Sequence, residues 1–200
     1  MTLINHPFAL DFLSREEKRE HKLEDIIKKN LVEINTPDPV TGHYPIHLAS
    51  IYNNLAFVKV LLKLGANINS QNANKQTALH LAIKLGYEDI PIFLIKSGAN
   101  TSLVDICGNI PLHYAVSFGG NTVFDYVLFA TNNINVVNED CENALHLTPQ
   151  NRTTYKAAML IQSGIYINQL NIENKTPLSR AIYFDNFRLC WLLSGNGGVC

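Results

Sequence analysis

Apolar positions along the 200-residue chain come in two alternating kinds of burst, divided by stretches of roughly ten polar, asparagine-rich residues. The first kind is a compact run such as Tyr44-Pro-Ile-His-Leu-Ala49, and the second is spread out, as in Phe57, Val60, Leu61 and Leu64. Gaps of three and four residues place that second set on one side of a helix. The pattern therefore predicts pairs of short helices, the first running from Pro45 to Tyr52. Asn53, Gly86 and Gly119, which tolerate left-handed geometry, stand where first helices should end, and Gly65 and Gly98 where second helices should end. The polar stretches fit projecting hairpins or loops. Each helix pair has too little interior to stand alone, so neighbours must stack.

The bursts keep one period. His47, His80, His113 and His146 are 33 residues apart, and the next step falls on Ser179. Around them lie the hexads Tyr44-Pro-Ile-His-Leu-Ala49, Thr77-Ala-Leu-His-Leu-Ala82, Ile110-Pro-Leu-His-Tyr-Ala115, Asn143-Ala-Leu-His-Leu-Thr148 and Thr176-Pro-Leu-Ser-Arg-Ala181. Gly65, Gly98 and Gly164 mark a second motif in the same register. With its T-P-L-H-x-A opening and L-L-x-x-G-A close, the unit resembles the ankyrin repeat. The resemblance covers residues 41 to 195 and implies an all-α solenoid of about five stacked helix-turn-helix units with projecting hairpin loops. Units start near 42, 75, 108, 141 and 174, the last incomplete, which makes 41–200 the repeat region and 1–40 an N-terminal segment with capping helices.

Residues 14 to 33 carry six basic and six acidic side chains, with Glu24–Lys28 and Asp25–Lys29 in the favourable i,i+4 order and an apolar stripe of Leu23, Ile26, Ile27 and Leu31. This reads as a polar cap over the first repeat. Pro149 falls inside the fourth unit's first helix and predicts a shortened or kinked helix there. In the third unit Thr131 or Asn132 must make the turn that glycine makes elsewhere, and the tip position, Gly42, Lys75, Gly108, Cys141 and Asn174, predicts individually shaped tips. Phe187, Leu189, Cys190, Trp191, Leu192 and Leu193 leave few polar positions for an outward face, which implies further chain, a partner or self-association at the last repeat.

Hydrophobic residues make up 46% of the chain, charged residues 16%, and the net charge is −1. A near-neutral chain without basic clusters has no general electrostatic grip on nucleic acid or anionic lipid, and no run of about eighteen apolar residues suggests a membrane span. Four cysteines without a C-x-x-C pair fit a reducing, cytoplasmic setting. Phosphate-binding loops, G-x-S-x-G and H-E-x-x-H are all missing. No catalytic residue, cofactor or metal ligand is therefore expected. The in-phase histidines are structural: stacked equivalents lie on the order of 10 Å apart, too far to share one ion.

The ankyrin resemblance implies contacts at hairpin tips and first-helix ends of a concave surface. The helix-end positions here are Ile51 and Tyr52, Lys84 and Leu85, Ser117 and Phe118, Gln150 and Asn151, and Tyr183 and Phe184. Four of these ten are aromatic, the usual anchors of protein interfaces. Glu139, Asp140 and Glu142 make the tips around the fourth unit acidic, suited to a basic segment of a protein partner. The family also implies that Asn69, Asn135 and Asn168 can be hydroxylated, while hydrogen bonding within the loop is the ordinary reason for such asparagines. The expected function is a protein-interaction module, an adaptor or scaffold; the alternative is the targeting portion of a larger enzyme. Asn (23) and Ile (19) together supply 42 of 200 residues, an AT-rich bias that resembles ankyrin effectors delivered into host cells by intracellular bacteria such as Legionella. For such an effector the partner is a host protein and the compartment host cytosol.

Overall fold

The structure, a computed structural model, describes residues 34–148 and 154–200. The capping helices expected over 14–33 and the residues Pro149, Gln150 and Asn151 lie outside the described residues. The chain divides into two compact units, one ending at Asn100 and the other beginning at Thr101. Among the described residues every regular element is helical.

In the first unit, α1 (Pro45–Ile51) opens on a proline, whose missing N–H costs nothing at the first helical position. The Asn54 side chain accepts the Phe57 N–H at 2.9 Å and so starts α2 (Leu55–Lys63). Thr77 caps α3 (Ala78–Lys84), and α4 (Asp89–Lys96) follows. First helices pack together, α1 on α3, and second helices behind them, α2 on α4. Ile46, Phe57, Leu61, Leu79, Ile83, Ile90 and Leu94 fill the seam and are sealed from solvent. Each such side chain stabilises the fold by about 1.5–3 kcal/mol.

The second unit holds α5 (Pro111–Ser117), α6 (Asn121–Ala130), a 3₁₀ turn at Ala144–Leu147, α7 (Tyr155–Gln162), α8 (Pro177–Tyr183) and α9 (Phe187–Gly195). The 3₁₀ turn takes the place of a first helix and packs against α5 and α8. Continued as an α-helix, the Leu145 carbonyl would need the N–H of residue 149, which proline lacks. It accepts instead from Thr148, N–H at 3.3 Å and hydroxyl at 2.7 Å. The helix is shortened as the sequence predicts.

Three local expectations need correction. Asn53 and Gly86 take positive φ, 54° and 74°, but Gly119 does not. Its reason is space: a Cβ there would come within 2.9 Å of the Ala115 carbonyl oxygen. Neither Thr131 nor Asn132 is left-handed. Thr131 ends α6 in extended geometry, with its hydroxyl donating to the Val127 carbonyl at 2.7 Å. Gly42, Lys75, Gly108, Cys141 and Asn174 all adopt φ between 56° and 76°, and the last four tips share one backbone pattern, whereas the first, closed by Asp38 N–H on the His43 carbonyl, is one residue longer.

Candidate protein-binding site

The likeness of the last four tips has a cause that sequence reasoning missed. Asn72 Oδ1 accepts the N–H groups of Asn74 and Gln76, and Asp105 Oδ1 those of Cys107 and Asn109. Asn138 and Asn171 repeat this pattern in the later tips. One side-chain oxygen thus holds each turn closed, which sustains left-handed geometry even at Lys75 and Cys141. The signal was present as an Asx residue every 33 positions from 72 to 171.

The histidines do what their position near a helix start suggests, and more. His47 Nδ1 accepts the Tyr44 N–H at 3.0 Å, and its Nε2 bonds the Gln76 carbonyl, 29 residues on, at 2.9 Å. His113 accepts from Ile110 N–H and reaches the Glu142 carbonyl at 3.2 Å. His146 faces the Asn143 side chain and the Lys175 carbonyl. In each, one nitrogen serves its own turn and the other joins the next repeat. Burial pushes His47 and His113 down to about 4, and lowers His146 as well. Ser179, at the same position of the last repeat, bonds only locally through Thr176.

Asn69 and Asn135 bond within their loops through their N–H groups, as expected, and the side chains of Asn69, Asn135 and Asn168 also act between repeats. Their Oδ1 atoms accept the N–H of Asn100 at 2.8 Å, Tyr166 at 2.6 Å and Val199 at 2.9 Å. Lys156, which no sequence signal singled out, is buried. Its ammonium donates to the carbonyls of Ala115, Val116 and Gly119 at 2.9, 2.9 and 2.6 Å. There it caps the negative end of α5, and burial lowers its pKa.

The helix-end residues proposed for binding remain outside these joints. Tyr52, Leu85, Phe118 and Phe184 each sit at the C-cap of a repeat's first helix. They are 48%, 47%, 54% and 41% exposed. Lys84 and Tyr183 are exposed beside them, while Ile51 and Ser117 are half-buried. The acidic trio divides. Glu139 and Asp140 are exposed, but Glu142 is buried, ion-paired with Arg180 and bonded to Asn171 Nδ2 at 3.1 Å. Its charge is already answered inside the chain, so it does not face a basic segment as expected.

At the last repeat Leu189 and Leu193 are buried, whereas Phe187 and Trp191 are exposed. Ile182 is 51% exposed although Val116 and Ile83, the same position in earlier repeats, are 0%. Burial also raises the Cys190 thiol, the reverse of an activated nucleophile. Among the described residues no cluster of three or more His, Cys, Asp or Glu is placed to hold a metal. No described helix is long and apolar enough to cross a membrane.

Joints made by buried imidazoles, asparagines and apolar seams within each unit define a helical-repeat protein. A family model described as ankyrin repeats (3 copies) matches residues 17–105. The chain belongs to the ankyrin-repeat family, whose units are protein-interaction modules. It is similar to an ankyrin repeat protein of Acanthamoeba polyphaga mimivirus, 27% identical over 190 residues, covering 92% of this chain and 25% of that protein. It is 30% identical over 170 residues to the nuclear factor NF-kappa-B p105 subunit of Gallus gallus, covering 79% of this chain and 17% of that one. Protein phosphatase 1 regulatory subunit 27 of Mus musculus is 34% identical over 107 residues, 52% of this chain and 69% of that subunit. The chain thus spans a quarter or less of the length of the first two relatives.

Proposed function

We propose that the protein is an adaptor or scaffold that holds a partner protein on its first-helix ends and hairpin tips. One observation carries the reading: an apolar residue, half exposed, recurs at the C-cap of each described α-helix that opens a repeat, Tyr52, Leu85, Phe118 and Phe184. A position that packing covers only in part, yet that stays apolar and mostly aromatic, is suited to a partner. Two relatives, a nuclear-factor subunit and a phosphatase regulatory subunit, support the same class of role. The finer reading, a bacterial effector acting on a host protein in host cytosol, rests on the Asn and Ile bias alone. A second reading, the targeting portion of a larger enzyme, is favoured by the small share of long relatives that the chain matches. The exposed Phe187, Trp191 and Ile182 face supports self-association or further chain at the last repeat.

Affinity capture from cell lysate tests the adaptor reading, wild type against a Tyr52→Ala/Phe118→Ala variant. Loss of about 2 kcal/mol or more per anchor is expected from hot-spot behaviour. A folded double variant that retains every specific partner at full strength refutes the placement.

A further inference from the structure

Within the second unit one groove of about 400 Å³ lies between the last two tips and α8. Its floor is the Glu142–Arg180 ion pair, so no net charge comes from below. The Arg180 guanidinium also stacks over the Phe184 ring at 5.9 Å. Tyr183 meets Phe184 edge-on, centroids 5.3 Å apart and planes at 87°, which leaves the Tyr183 ring 82% exposed along one wall. On the rim stand Glu173 and Lys175, both exposed. Asp140 adjoins them, because its carbonyl accepts the Ile172 N–H at 3.0 Å. Burial lowers the Arg180 pKa, and the nearby Asp140 carboxylate opposes that by favouring the charged form. The Asp140 and Glu173 carboxylates against the Lys175 ammonium give the rim a negative balance.

We infer that this groove takes an arginine or lysine side chain of an extended basic peptide segment. The methylene stem would lie on the open Tyr183 face and the cationic head among the Asp140 and Glu173 carboxylates. An exposed aromatic face attracts a cation through its quadrupole, and an acidic rim adds Coulomb attraction and suppresses acidic competitors. Arg180 cannot serve an acidic ligand in the same way, since Glu142 already neutralises it. The inference rests on the adaptor reading and names the partner chemistry at one of its sites.

The test pans a phage-displayed library of random dodecapeptides on the full chain and measures selected peptides against variants. Tyr183→Ala and Asp140→Lys/Glu173→Lys alter exposed side chains, and circular dichroism verifies that each variant is folded. The expected result is enrichment of peptides with a shared Arg or Lys. Their dissociation constants should rise at least tenfold on either variant, and equally when that Arg becomes citrulline or that Lys norleucine. Enrichment of acidic peptides, basic peptides indifferent to both variants, or no enrichment at all overturns the inference. Peptides insensitive to the groove variants but lost on Tyr52→Ala/Phe118→Ala overturn only the groove and leave the adaptor reading standing.

Discussion

Acid should unfold this protein through its histidines before its carboxylates matter. His47 and His113 are buried and engaged at both ring nitrogens, and burial holds each near a pKa of about 4 against an ordinary 6.5. The folded state therefore favours the neutral ring. The stability this contributes is complete above pH 6.5, declines as pH falls below that value, and is fully lost below about 4. Between pH 7.5 and 5.0 each imidazole should remove about 2 kcal/mol, so the pair removes about 4 kcal/mol. That is a large share of an ordinary domain's stability. Urea unfolding followed by circular dichroism across this range measures the loss. A His47→Gln/His113→Gln variant, weaker at pH 7.5 because it loses the joints to the next tip, should show a much flatter pH curve. Parallel curves for the two proteins would refute neutral burial of the rings. Proton NMR gives an independent reading, since the two imidazole signals should titrate far below the ordinary range.

Other perturbations follow from the joints and turns. Lys156→Met leaves the carbonyls of Ala115, Val116 and Gly119 without their donor and should cost about 2–3 kcal/mol; unfolding free energy unchanged within error would contradict that. Lys75→Gly removes a left-handed side chain at φ 56° and should raise stability by about 0.5–1 kcal/mol, read as a higher melting temperature. Alanine at Tyr52 and Phe118, both exposed, should leave the melting temperature nearly unchanged while abolishing capture of the partner; a collapse in stability would show that these rings hold the fold.

A period of 33 residues is a one-dimensional signal, so it was legible without a structure. The hexads located the four described α-helices that open repeats, because proline at the first helical position or a threonine cap starts a helix by local chemistry alone. The shortened fourth helix was legible for the same reason: a proline lacks its N–H whatever surrounds it. Gly119 misled, since glycine at a helix end announces freedom but not which constraint uses it. Here that constraint is the crowded Ala115 carbonyl. Glu142 misled in a parallel way. Beside Glu139 and Asp140 it read as one more tip charge.

What the order of residues determined on its own is the repeat and its helices, because each depends on neighbours a few positions away. What only the tertiary structure decided is which polar groups are already answered. His47 meets the Gln76 carbonyl 29 residues on, Glu142 meets Arg180 38 residues on, and Lys156 reaches α5 some 40 residues back. Partners at those separations are brought together by stacking, and a buried charge or imidazole is satisfied by whatever the next repeat presents. Local pattern has no access to that information.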